Sequence, residues 1–172
     1  MKEIQGHGVA MITPFKRNGT IDFDALPVII DHLIAGGVDY IVVLGTTAET
    51  ATLSKHEKIS LVDHIIDVNS GRLPLVLGLG GNHTMELLEM FEWFDLSAFS
   101  ALLSVSPYYN KPNQEGLYQH FKIVANHSSL PVILYNVPSR TGVNIAPETV
   151  LRLATDFKNI VAIKEASGDF QQ

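Results

Sequence analysis

Residues 159–168 read NIVAIKEASG, and this stretch decides how the fold is interpreted. Four consecutive apolar residues, 160–163, run directly into Lys164 and a glycine-containing loop. Continuous apolarity, without alternating polar residues, is typical of a strand buried on both faces, as in a parallel sheet. The stretch therefore predicts a buried parallel strand that ends on a lysine.

Five further apolar runs precede this one at intervals of roughly 30 residues, which is the size of a β/α unit. They cover residues 9–12, 40–44, 75–77, 101–103 and 132–135. Segments of helical periodicity lie between the runs, and their boundaries carry start and stop signals. The predicted helices cover 24–35, a segment after the capping box formed by Ser54 and Glu57, 84–94, 113–126, and a segment opening at Pro147. This alternation predicts an α/β fold in one domain, residues 1–172.

Alternation alone is compatible with a barrel and with an open doubly wound sheet. The first predicted strand is followed by Thr13, Pro14 and Phe15 and not by a dinucleotide-binding glycine fingerprint. The later GLGGN, residues 78–82, also lacks phosphate-binding spacing, and we expect its glycines to let the chain turn tightly from strand to helix. These features favour the (β/α)8 TIM-barrel class, with about six of the eight units present.

Composition excludes several classes of function. The net charge of -6 argues against a nucleic-acid or anionic-membrane partner, and the lack of cysteine excludes disulfides and thiolate metal sites. The seven histidines are scattered, and HEKIS, residues 56–60, lacks the second histidine of a zinc-binding helix. This pattern of cysteine and histidine leads us to expect no metal or other cofactor. Because no signal peptide or membrane span is apparent, we also expect a soluble, cytoplasmic protein.

In a barrel of this class, chemistry takes place at the carboxyl ends of the strands. Those ends carry hydroxyls, phenols, one guanidinium and one amine: Thr46, Thr47, Tyr109, Tyr135, Arg140 and Lys164. Together, such groups can bind a carboxylate and transfer protons.

Lys164 is the strongest candidate for a nucleophile. Residues two apart share a strand face, so Lys164 should lie with Ile160 and Ala162, while Glu165 points away and is poorly placed to pair with it. A partly desolvated amine without a paired carboxylate loses its proton more readily, and a neutral amine can attack a ketone to form an imine. Tyr135, on the neighbouring strand, is the predicted proton carrier.

Four motifs occur in order along the chain: GTTAET (45–50), SPYYNKPNQEGLYQHF (106–121), LYNVPSRTG (134–142) and IKEASG (163–168). In their combination the chain resembles the dihydrodipicolinate synthase family, one of the pyruvate-dependent class I aldolases that include N-acetylneuraminate lyase. The resemblance implies a TIM barrel that condenses pyruvate with L-aspartate 4-semialdehyde through a Schiff base, giving 4-hydroxy-tetrahydrodipicolinate for lysine and diaminopimelate biosynthesis. It also implies a homotetramer built from dimers.

The resemblance further implies a role for each candidate. Lys164 would form the Schiff base with pyruvate, and Tyr135 would shuttle protons. Thr46 would link Tyr135 to Tyr109, which would reach into the site of a neighbouring subunit. The two remaining candidates would bind carboxylates, Thr47 that of pyruvate and Arg140 that of the semialdehyde.

Two alternatives stay open at this point. The acceptor could differ, as in N-acetylneuraminate lyase or an aldolase acting on 2-keto sugar acids. A complete barrel has eight strands and typically about 250 residues, so strands 7 and 8 and the C-terminal helical region of the family are expected to be missing. The second alternative is therefore a non-catalytic fragment, or a part completed by another chain, with open apolar edges on its first and sixth strands.

Overall fold

A computed structural model describes residues 4–172 of the chain. Within these residues six strands alternate with helices, and the strands fall into two compact units. Among these residues the first unit consists of 4–78 and Ser97–Ser100, and the second of Leu79–Leu96 and Ala101–Gln172. All six strands predicted from the apolar runs are present. The single domain over residues 1–172 stays a prediction.

The first unit is a three-stranded parallel sheet with two helices. Its elements are β1 (Gly8–Ala10), α1 (Leu26–Ala35), β2 (Tyr40–Val43), α2 (Lys55–Asn69) and β3 (Leu75–Gly78). β2 lies in the middle, because Ile41 is paired with Val9 on one side and with Leu75 on the other. β2 and β3 are largely buried on both faces, as the continuous apolar runs predict, whereas β1 is only half-buried.

The predicted capping box at the start of α2 is confirmed. The Glu57 amide donates to the Ser54 hydroxyl over 3.3 Å, and the Ser54 amide donates to the Glu57 carboxylate over 2.8 Å. Hydrogen bonding to Ser54 outweighs the opposing effect of burial and lowers the pKa of Glu57. The carboxylate is therefore charged at the helix N-terminus, where the helix dipole favours a negative group.

The three glycines of GLGGN, Gly78, Gly80 and Gly81, have φ angles outside the left-handed region. The expected turn from strand to helix therefore does not depend on a left-handed backbone at these positions. A β-carbon on Gly78 would lie 2.5 Å from the backbone oxygen of Leu44, and one on Gly80 would lie 2.6 Å from a methyl carbon of Val105. Glycine is required at these two positions because neighbouring atoms approach the backbone closely.

The second unit contains the other three parallel strands. Its elements are α3 (Thr84–Phe91), β4 (Ala101–Val105), α4 (Gln114–His127), β5 (Val132–Asn136), α5 (Pro138–Thr141), α6 (Pro147–Asp156) and β6 (Ile160–Glu165). β5 lies between β4 and β6, and α4 packs against both α3 and α6. Large apolar side chains such as Leu102, Phe121 and Leu134 are fully buried.

Four helical segments differ from the prediction. α4 runs from Gln114 to His127 where residues 113–126 were predicted. The segment predicted from residue 24 begins with a 3-10 turn, Phe23–Ala25, before α1 starts at Leu26. α3 ends at Phe91 instead of residue 94, because the Glu92 amide bonds to Glu89 in a tight final turn. The short helix α5, Pro138–Thr141, was not predicted; it is followed by Gly142, whose φ of 74° suits glycine.

The two terminal strands are less buried than the strands between them, as the open edges expected from the sequence imply. In the first unit an apolar groove of about 350 Å³ lies beside β1 and α1, and Val28 on its wall is 70% exposed. In the second unit Val161 of β6 is 58% exposed and Leu151 of α6 is 69% exposed. No helix among the described residues is long and apolar enough to cross a membrane.

His120, one of the seven scattered histidines, is buried. It is 3% exposed on α4, and its Nδ1 lies 2.8 Å from the Thr84 hydroxyl at the start of α3. Burial lowers the pKa of His120 to about 4, because desolvation disfavours the charged ring. The neutral imidazole therefore links α3 to α4.

This burial predicts an acid-sensitive contribution to stability. The unfolded chain binds a proton at His120 below pH 6.5 while the folded chain does not until about pH 4, so the free energy of unfolding falls as pH drops through this window. We expect a loss of about 2 kcal/mol between pH 7 and pH 5 from this residue. Urea unfolding of the parent and of His120→Gln at both pH values measures it, and an identical pH dependence in the two proteins would contradict the prediction.

Candidate active site

The structure brings Lys164 and Tyr135 together at the carboxyl ends of two adjacent strands. The two residues are direct partners in the β5–β6 pairing, so their side chains share one face of the sheet. The Lys164 Nζ atom lies 4.5 Å from the centre of the Tyr135 ring. Tyr135 is buried and Lys164 is half-buried, and the amine lies over the face of the phenol ring.

The prediction for the faces of β6 holds only in part. Pairing slips by one residue near its start, because Val132 opposes Ile160 whereas Ile133 opposes Ala162. The strict alternation expected from Ile160 onward is therefore wrong, since a bulge places two residues of β6 against one of β5. From Ala162 onward the pairing is regular, and Lys164 and Glu165 point to opposite faces.

Glu165 is engaged on its own face of the strand. Its carboxylate accepts hydrogen bonds from the Asn136 side chain over 2.9 and 3.1 Å and from the Ser167 amide over 2.8 Å. Burial alone would raise the pKa of Glu165, but these hydrogen bonds outweigh burial and lower it. The carboxylate therefore stays charged at neutral pH, and both of its oxygens accept hydrogen bonds from Asn136.

Arg140 lies on the exposed surface of α5, directly after β5. The following segment is held by Thr141, which is buried and whose hydroxyl donates to the carbonyls of Val137 and Val143. The guanidinium is thus presented to solvent from a short, fixed helix. Its planar set of donors suits a carboxylate.

Tyr109 lies on the segment that follows β4. It is 88% exposed, and its φ of 71° places the backbone in the left-handed region. A non-glycine residue in that region is uncommon and often marks a functional segment. The phenol is directed into solvent, where a second molecule could reach it.

Thr46 and Thr47 belong to the first unit, where they form a 3-10 turn with Ala48. The turn is anchored by Thr13, a buried residue whose hydroxyl donates to the Ala48 carbonyl over 2.7 Å. The sequence identified Thr13 only as a residue after the first strand. Its role in anchoring the turn is visible only from this hydrogen bond to Ala48. Thr46 is half-buried and Thr47 is exposed.

Sequence reasoning missed Asn136, although the residue lies inside a quoted motif. It is fully buried at the end of β5 and bonds to Glu165, to Asn144 and to the Ile145 amide. An asparagine directly after an apolar strand is the only local signal. In residues 4–172 no group of three histidine, aspartate or glutamate side chains is arranged to hold a metal ion.

Comparison with known proteins places this geometry in a family. The model of the dihydrodipicolinate synthetase family matches residues 3–172. A 4-hydroxy-tetrahydrodipicolinate synthase from Flavobacterium psychrophilum is 61% identical over the whole chain, and one from Bacillus subtilis is 50% identical over 94% of it. The chain spans 59% and 56% of the lengths of these two relatives.

Solved structures agree with this match. A chloride-inhibited dihydrodipicolinate synthase from Acinetobacter baumannii, complexed with pyruvate, superposes on 98% of the chain with a TM-score of 0.93 and 44% identity. A monomeric dihydrodipicolinate synthase variant superposes on 97% with a TM-score of 0.91 and 42% identity. The chain covers 58% and 55% of those two structures. The predicted fold class, six β/α units of the TIM-barrel family, is confirmed, and the chain belongs to the dihydrodipicolinate synthetase family.

Proposed function

We propose that this chain carries the Schiff-base centre of a 4-hydroxy-tetrahydrodipicolinate synthase, which condenses pyruvate with L-aspartate 4-semialdehyde. The observation that carries the proposal is the half-buried Lys164 amine, 4.5 Å from the ring centre of the buried Tyr135 on the adjacent strand. Relatives of that name at 61% and 50% identity support the same reaction.

In this reaction the Lys164 Nζ lone pair attacks the keto carbon of pyruvate and forms a C–N bond. Protons delivered to the keto oxygen allow it to leave as water, and an iminium ion remains. Loss of a proton from the methyl carbon gives an enamine, and its carbon attacks the aldehyde carbon of the second substrate, whose oxygen takes up a proton. The amino group of that substrate then attacks the iminium carbon, closes the ring and displaces the Lys164 amine, which regenerates the enzyme. We assign the transfer of protons in these steps to Tyr135, whose ring lies beside the amine.

The other site residues complete the proposal. Thr47 binds the carboxylate of pyruvate, Arg140 binds the carboxylate of the semialdehyde, and Thr46 links Tyr135 to Tyr109 in a hydroxyl relay. The exposure of Tyr109 supports its contribution to a neighbouring copy in a homo-oligomer, here proposed as a homotetramer in the cytoplasm. One of the similar structures is a monomeric variant. The oligomeric state of this chain is therefore best measured directly, by light scattering in solution.

The proposal predicts a covalent adduct with pyruvate. When the protein is incubated with pyruvate and borohydride, reduction of the imine should attach a carboxyethyl group to Lys164, which peptide mass mapping locates. A folded protein that gains no adduct would instead support the non-catalytic alternative. Where the adduct forms, comparing aspartate semialdehyde with N-acetylmannosamine as acceptor separates the synthase from the lyase.

A further inference from the structure

The side chain of Asn136 joins the two segments that carry Lys164 and Arg140. One face of the β5–β6 pairing holds Tyr135 beside Lys164, and the next pair along, on the opposite face, is Asn136 beside Glu165. Both hydrogens of the Asn136 amide are used. Its amide nitrogen bonds to the Glu165 carboxylate over 2.9 Å and to the Asn144 side-chain oxygen over 2.7 Å.

The carbonyl of the same side chain is also used. It accepts the Ile145 amide over 3.0 Å, so Asn136 holds both the side chain of Asn144 and the backbone after it. This loop directly follows α5, the helix that presents Arg140. Gln114 of α4 supports the loop from its other side by donating to the Asn144 carbonyl over 2.8 Å.

We propose that Asn136 is a positioning residue that fixes the Lys164 amine and the Arg140 guanidinium in one geometry. This inference rests on the proposed function and adds to it a residue that does not touch either substrate. The physical basis is that a fully buried amide with three satisfied hydrogen bonds has a single orientation. Small displacements of reacting groups cost large factors in rate.

The two attachments make separable contributions. The bond to Glu165 fixes the end of β6, next to the nucleophile, and should govern imine formation. The bonds to Asn144 and Ile145 fix the loop after Arg140 and should govern the KM for the semialdehyde. If Asn136 had only a structural role, its substitution would lower stability but would not change the rate of imine formation and the KM for the semialdehyde through separate contacts.

Asn136→Asp is the direct test, because it preserves shape but turns a donor into a carboxylate facing Glu165. The rate of borohydride-trapped adduct formation should fall about tenfold, and the KM for the semialdehyde should rise about tenfold. Glu165→Gln should slow adduct formation about threefold and leave that KM unchanged within about twofold. In the double variant the amide introduced at position 165 can donate to the carboxylate introduced at position 136, which should restore most of the lost rate.

Asn159→Asp is the matched control. Asn159 precedes β6 in the same unit, and its side-chain amide donates to the Ala125 carbonyl over 2.7 Å. Its substitution should cost stability while changing the adduct rate less than about twofold. All variants are compared at equal concentrations of folded protein, measured by circular dichroism.

The inference is overturned if folded Asn136→Asp matches the control in both adduct rate and KM. Should Asn136→Asp not fold, Glu165→Gln decides, since Glu165 lies at an exposed strand end; a parental adduct rate in that variant overturns the inference. A parent protein without any adduct refutes the proposed function itself. A parent adduct with unaffected variants refutes the positioning role alone.

Discussion

Lys164→Met is expected to abolish the pyruvate adduct and to lower kcat/KM at least about 10⁴-fold. Methionine retains most of the length and apolar character of the lysine stem, but it has no nitrogen to form the imine. Because Lys164 lies half-buried at the end of β6, the substitution should leave the fold intact. Mass mapping after borohydride treatment and steady-state kinetics measure the two effects.

Lys158→Met is a suitable control for this experiment. Lys158 is exposed just before β6, so its loss removes one amine of the same kind from the same region of the chain. Adduct formation and activity should remain at parental levels. If Lys164→Met still forms the adduct at parental rate, the nucleophile is another amine and the proposed site is wrong.

Tyr135→Phe should lower kcat about 10²- to 10³-fold while retaining pyruvate binding. The substitution keeps the buried ring against which the Lys164 amine lies, so the position of the nucleophile is preserved. Only the phenol oxygen is removed, and with it the proposed route for protons during imine formation and later steps. Single-turnover trapping with borohydride measures imine formation separately from overall turnover.

Tyr118→Phe provides the comparison for a phenol outside the site. Tyr118 is also buried, and its hydroxyl donates to Asp156 over 2.7 Å between α4 and α6. This bond, together with burial, raises the pKa of Tyr118. Removing the hydroxyl should reduce stability and leave kcat unchanged. Equal losses of kcat in the two variants would contradict a proton-transfer role for Tyr135.

The residues of the candidate site differ in how readily they can be identified from the sequence. Lys164 and Tyr135 could be predicted because each lies at the end of an apolar run, where a polar group stands out. The contact between Asn136 and Glu165 could not be predicted in this way. Their hydrogen bond joins residues 29 positions apart and depends on the register of β5 against β6. The bulge after Ile160 was invisible for the same reason, because the strand is apolar on both sides of it.

The glycines of GLGGN show a related difference. Their presence suggested a turn, whereas Gly78 is required because the Leu44 carbonyl passes within 2.5 Å of where a β-carbon would be. A close approach between distant segments leaves no periodic pattern in either of them. The short helix α5 also escaped prediction, because four residues are fewer than the periodicity needs.

The sequence by itself determined the six alternating β/α units, their capped helices and the polar residues at the strand ends, because periodic apolarity and boundary residues are local properties of the chain. Only the tertiary structure decided that Lys164 lies against Tyr135, that Asn136 joins Glu165 to the loop after Arg140, and that His120 is buried beside Thr84. Those contacts depend on strand register and helix packing. Both are set by how separate segments fill a shared core, and this is a property of the folded chain rather than of any one segment.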